Sequence, residues 1–204
     1  EAGQNTILVY GGANMTLSAT DVEMSAEAFI GADFVVAQLE VPFEAIEQAF
    51  KIARKQNITT VLNPAPAIEL PKSLLELTDI IIPNETEAEL LTGISINNES
   101  DMKETATYFL DLGISAVLIT LGEQGTYCAY QEQYKMIPAC NVKAVDTTAA
   151  GDTFIGAFLS ELNKDLSNLE SAIRLANQAS SLTVQRKGAQ ASIPTRKEVE
   201  AEYN

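Results

Sequence analysis

The stretch Asp146-Thr147-Thr148-Ala149-Ala150-Gly151-Asp152-Thr153-Phe154 marks the point at which a predicted strand passes into a helix. Small residues in this position let backbone N–H groups converge on the helix N-terminus, where the helix dipole favours an anion. Asp152 lies beside that anion, where a carboxylate can accept the proton of an attacking hydroxyl group. The stretch therefore predicts a turn for phosphoryl transfer, with Ala149, Ala150 and Gly151 as an anion hole and Asp152 as the catalytic base.

A simpler interpretation of the same residues is a well-capped helix start. Thr148 would then be the N-cap residue, and Asp152 would interact favourably with the helix dipole in the first turn. The nine residues alone leave both interpretations open, so the rest of the chain has to distinguish them.

Apolar runs rich in branched residues alternate along the chain with segments of helical period. This pattern predicts an α/β fold with a mostly parallel sheet and one antiparallel edge. The predicted strands are Phe34–Ala37, Thr60–Leu62, Ile80–Ile82 and Ala116–Thr120, followed by a hairpin of Thr126–Tyr130 and Tyr134–Ile137. The predicted helices are Phe43–Lys55, Ser100–Leu112, Ala150–Asn163 and Leu169–Gln185, and a last helix that starts at Thr195. Ser167-x-x-Glu170 and Thr195-x-x-Glu198 have the capping-box pattern of helix starts.

Six segments of this sequence resemble motifs of the ribokinase-like (PfkB-type) sugar kinases, in the same order and at similar spacing. One is the stretch that contains Asp152. The others are Gln38-Leu39-Glu40, Asn63-Pro64-Ala65-Pro66-Ala67, Pro83-Asn84-Glu85-Thr86-Glu87-Ala88-Glu89, Thr120-Leu121-Gly122-Glu123-Gln124-Gly125 and Arg186-Lys187-Gly188-Ala189-Gln190-Ala191-Ser192. The resemblance covers nearly the whole chain and implies a ribokinase-like three-layer α/β/α sandwich, truncated at the N-terminus.

The resemblance also implies a division of the chain. Residues 1–14, including the apolar strand Ile7–Tyr10, correspond to a remnant of the family's lid and its connection, and residues 15–204 to the ATP-binding and catalytic α/β domain. The N-terminal part of the enzyme, with its Gly-rich signature and much of the sugar site, is expected to be missing. The isolated fragment is therefore expected to be inactive, whereas the intact enzyme is expected to be a homodimer formed through the lid.

ATP and magnesium positions follow from two of these motifs. The resemblance implies that ATP contacts Thr120, Gly122 and Gly125, at the carboxyl end of a predicted strand, although the same residues also suit an ordinary hairpin turn. Asn84 and Glu87 suit a helix capping box and also an outer-shell Mg²⁺–phosphate site in which Glu87 acts through water, and both interpretations can hold together. By resemblance, Asn84 also binds ATP, and Asn177 lies near the adenine.

The remaining implied positions bind the sugar and a monovalent cation. Glu40 follows a strand and is expected to accept hydrogen bonds from sugar hydroxyls, together with Asp152. The implied K⁺ ligands, which act mostly through backbone carbonyls, are Asp146, Thr148, Thr183, Arg186, Gly188 and Ser192. Arg186 alone would also suit a surface cation after a helix end.

Composition limits the partners and the compartment. A net charge of −15 and a pI near 4.3 argue against nucleic acid or an anionic membrane as partner. Two cysteines and no histidine provide neither a zinc pattern nor a disulfide framework, which fits a reducing cytoplasm. No apolar run approaches a membrane span, and no signal-peptide pattern opens the chain.

The resemblance implies an enzyme that uses ATP to phosphorylate the primary hydroxyl of D-ribose, giving ribose 5-phosphate. The alternatives are a sister kinase for deoxyribose, a ketohexose or a nucleoside, and a sugar- or nucleotide-binding regulator that has lost catalysis. Retention of Asp152 in an intact motif argues against the regulator.

Overall fold

The computed structural model describes residues 10–203, and in this part six strands form one sheet in the order β1 to β6. The strands are β1 Phe34–Ala37, β2 Thr59–Leu62, β3 Ile80–Ile81, β4 Ala116–Thr120, β5 Gly125–Tyr130 and β6 Gln133–Pro138. The pairs β1–β2, β2–β3 and β3–β4 are parallel. Gln131 and Glu132 join β5 to β6 with φ values of 49° and 62°, which is the geometry of a two-residue type I′ hairpin turn. The predicted α/β fold, with its mostly parallel sheet and hairpin edge, is confirmed.

Eight α-helices occur between residues 10 and 203. They are α1 Ala19–Met24, α2 Phe43–Lys55, α3 Lys72–Leu75, α4 Glu85–Thr92, α5 Glu99–Asp111, α6 Ala150–Glu161, α7 Leu169–Thr183 and α8 Arg196–Tyr203. Short 3₁₀ turns lie at Gly12–Thr16, Ala26–Phe29, Gly122–Gln124 and Gln190–Ser192. In the part of the chain between residues 10 and 203, no helix has the length and apolar character to cross a membrane.

The described residues divide into two compact units. The first, here the N-terminal unit, consists of 10–121 and 127–135, and the second, the C-terminal unit, consists of 122–126 and 136–203. The predicted lid strand Ile7–Tyr10 lies outside the described residues except for Tyr10. The predicted division at residue 14 stays a prediction.

In the N-terminal unit, α2 covers one face of β1 and β2. Its helical period places Ile46 and Phe50 on the same face, and both are buried against Leu62 and Leu74. Burial of one such side chain stabilises the fold by about 1.5–3 kcal/mol. This packing holds β1 and β2 in place through one face of the sheet. The carboxyl ends of the strands are left available for polar residues.

Pairing between the strands continues beyond the end of β3. The N–H of Thr120 donates to the carbonyl oxygen of Pro83 at 2.9 Å, and an isolated parallel bridge joins Asn84 to Thr120. Two of the predicted ATP-binding residues are therefore neighbours at the carboxyl edge of the sheet, which is where ligands bind in open α/β sheets.

In the C-terminal unit, α6 packs along α7, and α8 closes one side of the pair. Phe154 and Phe158 stack on α6 with ring centroids 6.2 Å apart. Val199 of α8 is buried with Ala179 and Leu182 of α7. The α6–α7 pair is the rigid base on which the turn before α6 is built.

Two predicted helix caps have different outcomes. At α8 the capping box is confirmed, because Glu198 accepts hydrogen bonds from the N–H and hydroxyl of Thr195. At α7 it is wrong, since the helix has Asn168 as its N-cap residue and the N–H of Ser167 donates to Asp165 at 3.0 Å. The hydrogen bond from Ser167 to the carboxylate of Asp165 holds Ser167 in a local turn, so Ser167 is not the N-cap residue of α7.

Candidate active site

The turn before α6 has an unusual backbone conformation at Ala149. This residue has φ 61° and ψ 10°, in the left-handed region, and the N–H of Ala150 donates to the carbonyl oxygen of Thr147 at 3.2 Å. A residue other than glycine in this conformation costs roughly 1–2 kcal/mol. Ala149 is the N-cap residue of α6, so the alternative with Thr148 as N-cap is wrong. Backbone strain of this kind occurs where the surrounding structure holds a functional turn in place.

The first turn of α6 presents Gly151 and Asp152 to solvent. Both residues are exposed, and a Cβ atom at Gly151 would meet no heavy atom within 4 Å. Intrahelical bonding begins with the N–H of Thr153, which donates to Ala149 at 2.9 Å. The N–H of Gly151 precedes that bond and therefore has no acceptor within the helix. An open space, an N–H group and a carboxylate thus meet at one helix N-terminus, which suits an anionic ligand.

The side chain of Asp146 stabilises the turn before α6 by hydrogen bonds to two backbone N–H groups. Its carboxylate accepts the N–H of Thr148 at 3.0 Å and the N–H of Gly188 at 3.0 Å. Hydrogen bonding from the Thr148 side chain, and then from the Gly188 N–H, lowers the pKa of Asp146 to about 2. The N–H groups of Val145 and Asp146 both donate to the carbonyl oxygen of Val184, at 2.7 Å and 3.1 Å. The turn before α6 is thereby tied to the chain that leaves α7.

Several predicted K⁺ ligands lie in the hydrogen-bonded region around Asp146. Asp146, Thr148 and Gly188 are joined directly, and the N–H of Arg186 donates to the carbonyl oxygen of Thr183 at 3.0 Å. These residues are supplied by two chain segments on either side of one turn, which fits a site built mainly from carbonyl oxygens. The K⁺ assignment itself stays a prediction.

Two members of the implied set, Arg186 and Ser192, also have side-chain contacts within the structure. The Arg186 guanidinium forms an ion pair with Glu198 of α8 at 2.8 Å, so its side chain has a structural partner. Ser192 is fully buried, and its hydroxyl donates to the carbonyl oxygen of Ala189 at 2.6 Å. The positively charged side chain of Arg186 cannot ligate a cation, so only its carbonyl oxygen is a candidate. The hydroxyl oxygen of Ser192 retains lone pairs and is a candidate beside its carbonyl oxygen. Among residues 10–203, no three carboxylate or thiol side chains are grouped as a metal site.

Asn84 and Glu87 form a complete capping box at the start of α4. The side chain of Asn84 accepts the N–H of Glu87 at 2.9 Å, and Glu87 accepts the backbone and side-chain N–H groups of Asn84, both at 2.8 Å. Glu87 is only 6% exposed. Burial raises its pKa, against the opposing effect of the Asn84 N–H. A buried carboxylate with one hydrogen bond on each oxygen retains lone pairs for a water molecule, so the pair fits an outer-shell Mg²⁺ site as well as a cap.

The two glycines of the Thr120–Gly125 motif have different roles. Gly125 has φ 111°, and a Cβ atom there would collide with the backbone of Ile137 and Ala139. The hairpin therefore requires glycine at this position. Gly122 has φ 52°, is exposed, and has open space where a side chain would be. Of the two, Gly122 has the surroundings of a position that a nucleotide can approach closely.

Asn177 is engaged inside the C-terminal unit. Its side chain is 7% exposed, accepts the hydroxyl of Thr126 at 3.0 Å, and donates to the carbonyl oxygens of Ile137 and Pro138 at 3.1 Å and 3.2 Å. Both amide protons are thus used to hold α7 against the hairpin. The predicted contact of Asn177 with adenine stays a prediction. In the structure, the side chain of Asn177 joins α7 to the hairpin residues Thr126, Ile137 and Pro138.

Glu40 follows β1 and is exposed. The residue before it, Leu39, is held by a hydrogen bond from its N–H to the carbonyl oxygen of Ala65 at 2.8 Å. Asn63 ties the same region to the end of β3 by donating to the carbonyl oxygen of Ile82 at 2.8 Å. The loop 63–67 therefore supports the chain beside Glu40.

Sequence reasoning missed Ser180, and it named Thr183 only as an implied K⁺ ligand and not for the contact of its hydroxyl with α6. Thr183 lies within 3.0 Å of the Thr153 hydroxyl, and Ser180 donates to the carbonyl oxygen of Ala150 at 2.9 Å. The available signal was the spacing Asn177-x-x-Ser180-x-x-Thr183, which places three polar side chains at successive turns of α7.

Comparison with known proteins places the chain in a family. The sequence profile of the pfkB family carbohydrate kinases matches residues 1–196. The chain is 64% identical over 197 residues to ribokinase from Staphylococcus aureus (strain COL), covering 97% of this chain and 65% of the relative. It is 43% identical over 198 residues to ribokinase from Haemophilus influenzae, covering 97% of this chain and 64% of the relative.

Solved structures agree. Arabidopsis thaliana ribokinase, complexed with ribose and ATP, superposes with a TM-score of 0.86 at 34% identity, covering 98% of this chain and 65% of that one. Ribokinase from Thermotoga maritima superposes with a TM-score of 0.82 at 35% identity, covering 98% and 66%. This chain belongs to the pfkB family of carbohydrate kinases. It spans just under two thirds of the length of these relatives.

Proposed function

We propose that the protein is an ATP-dependent kinase that phosphorylates the primary hydroxyl of D-ribose, giving ribose 5-phosphate. Relatives named ribokinase reach 64% identity, whereas the deoxyribokinase of Salmonella typhi is 36% identical over 192 residues. This difference supports ribose over deoxyribose as the sugar. The exposed carboxylate of Asp152 at the helix start supports a catalytic protein over a binding protein of the same fold.

The observation that carries the proposal is the arrangement at the start of α6. Ala149 is held in the left-handed conformation immediately before the exposed N-terminal turn that contains Gly151 and Asp152. The conformation turns successive N–H groups toward one side, and the helix dipole adds positive potential there. No simple capping requirement explains a strained alanine at this point.

In the proposed reaction, Asp152 accepts the proton of the sugar hydroxyl as that oxygen attacks the γ-phosphorus of ATP. The bond between the γ-phosphorus and the β–γ bridging oxygen breaks, and ADP leaves. The N–H groups at Ala149 and Gly151 stabilise the charge on the transferred phosphoryl group. The N–H of Ala150 already donates to Thr147, so it contributes by holding the turn. Glu40 and Asp152 orient the sugar, and Thr120, Gly122 and Asn84 bind ATP.

Two cations complete the proposal. Glu87 would hold Mg²⁺ through water, and the ion would neutralise charge between the ATP phosphates. Carbonyl oxygens near Asp146 and Gly188 would hold K⁺, away from the substrates. We further propose a cytoplasmic enzyme that forms a homodimer through the lid.

The direct test is a phosphorylation assay of the full-length protein on a panel of ribose, 2-deoxyribose, fructose and a nucleoside. The expected result is the highest kcat/KM with ribose and a product phosphorylated at its primary hydroxyl. A higher kcat/KM with another sugar would replace the proposed substrate, and absence of turnover on the whole panel would contradict the kinase.

A further inference from the structure

The hydroxyl of Ser180, on α7, donates a hydrogen bond to the carbonyl oxygen of Ala150 at 2.9 Å. A serine inside a helix usually bonds to its own helix, at the carbonyl three or four residues before. The next residue, Ser181, does this by donating to Gln178 at 2.7 Å. Ser180 instead reaches across to another helix, and it reaches the first residue of α6.

The carbonyl of Ala150 and the N–H of Gly151 are the two ends of a single peptide unit. Because the peptide unit is planar, a hydrogen bond that fixes the direction of its oxygen also fixes the direction of its N–H. The bond also polarises the unit, which makes the N–H a better donor to an anion. The Ser180 hydroxyl therefore acts on the Gly151 N–H without touching the ligand that this group would bind.

Neighbouring contacts support the same part of α6 from the same side. Thr183, one turn further along α7, is buried and bonded to the buried hydroxyl of Thr153 at 3.0 Å. Ser180 is thus set in a packed surface, where its position relative to Ala150 is determined by the surrounding helix pair. The geometry is fixed before any ligand binds.

We propose that Ser180 is a positioning residue for the anion hole, and that it acts by orienting the Ala150–Gly151 peptide unit. The proposal rests on the proposed kinase function for its effect on turnover. Its effect on the Gly151 N–H can be measured without that function.

The kinetic test compares Ser180→Ala and Ser180→Thr in the full-length protein, with Ser181→Ala as the matched control. Ser181 is the buried neighbour whose hydroxyl contacts Tyr203 at 2.6 Å, on the side of α7 that packs on α8. Ser180→Ala is expected to lower kcat about tenfold, less than loss of a whole anion-hole donor, with the KM for ribose nearly unchanged. Ser180→Thr, which keeps a hydroxyl, is expected to restore most of the turnover. Ser181→Ala is expected to lower the melting temperature and leave kcat unchanged.

The spectroscopic test follows the Gly151 amide by NMR in glycine-labelled full-length protein, with the resonance assigned from its loss in Gly151→Ala. Inorganic phosphate is the probe. In the wild type, phosphate is expected to move the Gly151 amide proton downfield, and Ser180→Ala is expected to reduce that movement while Ser181→Ala does not.

The outcomes separate the two proposals. If the wild type shows no kinase activity but phosphate moves the Gly151 resonance in a Ser180-dependent way, the proposed function fails and the positioning role stands. If Ser180→Ala leaves the Gly151 response to phosphate and kcat as in the wild type, the positioning role is wrong. If Ser180→Ala and Ser181→Ala lower melting temperature and kcat in parallel, Ser180 is structural only and the proposal is overturned.

Discussion

The carboxylate of Asp146 accepts a hydrogen bond from the backbone N–H of Gly188 at 3.0 Å, across 42 residues of sequence. The bond joins the turn before α6 to the loop after α7. The same carboxylate accepts the N–H of Thr148, so one side chain fixes both segments. The position of the proposed anion hole therefore depends on the charge of Asp146.

A pH dependence follows from this arrangement. Folding lowers the pKa of Asp146 from its ordinary 3.8 to about 2, chiefly through hydrogen bonding to Thr148. A carboxyl group with a lowered pKa stabilises the folded state above the unfolded pKa, and this contribution is lost as the pH falls from about 4 toward 2. We expect the melting temperature of Asp146→Asn to lie below that of the wild type at pH 6. The difference should shrink as the pH falls through this window, and a constant difference would contradict the assignment.

Asp152→Asn should abolish turnover in the full-length protein and leave ATP binding near normal. The change removes a proton acceptor and keeps the size of the side chain, so kcat should fall by roughly 10²–10⁴-fold. The measurement pairs steady-state kinetics with ATP binding by calorimetry. Asp165→Asn, at the exposed turn after α6, is the control and should keep wild-type kcat. An Asp152→Asn enzyme within about threefold of wild type would exclude general-base catalysis by this residue.

The monovalent-cation site predicts activation by K⁺. Replacing K⁺ by Na⁺ at constant ionic strength should lower kcat, because a smaller ion would misplace the carbonyl groups that frame the turn, and alignment of the turn governs phosphoryl transfer. In Asp146→Asn the difference between the two ions should become smaller. Equal activity of the wild type in both salts would count against the site.

Ala149→Gly tests the strained backbone. Glycine removes roughly 1–2 kcal/mol of left-handed strain and adds roughly 0.5–1 kcal/mol of unfolded-state entropy, so the free energy of unfolding should stay equal or rise. Ala144→Gly is the matched control, since Ala144 precedes the same turn with φ that is not positive, and it should be destabilised. Chemical denaturation of both variants gives the comparison. A loss of stability in Ala149→Gly as large as in Ala144→Gly would show that Ala149 carries no strain.

Much of the fold follows from periodicity in the sequence. Helix Phe43–Lys55 and strand Ala116–Thr120 have the predicted bounds, because long apolar patterns with clear breakers specify their own limits. Helix α7 ends at Thr183, two residues before the predicted Gln185, since helix ends depend on local hydrogen bonds that periodicity does not contain. Short elements such as α3 have too few residues to show a period.

The geometry of the candidate site is harder to predict from the sequence than the helices and strands are. A motif can name Asp152 and Gly151, but alanine rarely adopts positive φ, so nothing in the sequence indicates that Ala149 takes this conformation. The support from Ser180 comes from another helix and depends on the packing of α6 on α7. These are tertiary relationships, and a linear pattern gives only the residue types that make them possible.

In the proposed kinase, the conformation of Ala149 bears on the state of the turn between one turnover and the next. A glycine in that turn would sample several backbone states between turnovers, and each arriving nucleotide would have to select one of them. Alanine has fewer accessible backbone conformations than glycine. Hydrogen bonds that involve Thr147, Asp146 and Ser180 hold the turn in one of them. In the proposed kinase, nucleotide exchange should therefore proceed with little rearrangement of the backbone at this turn.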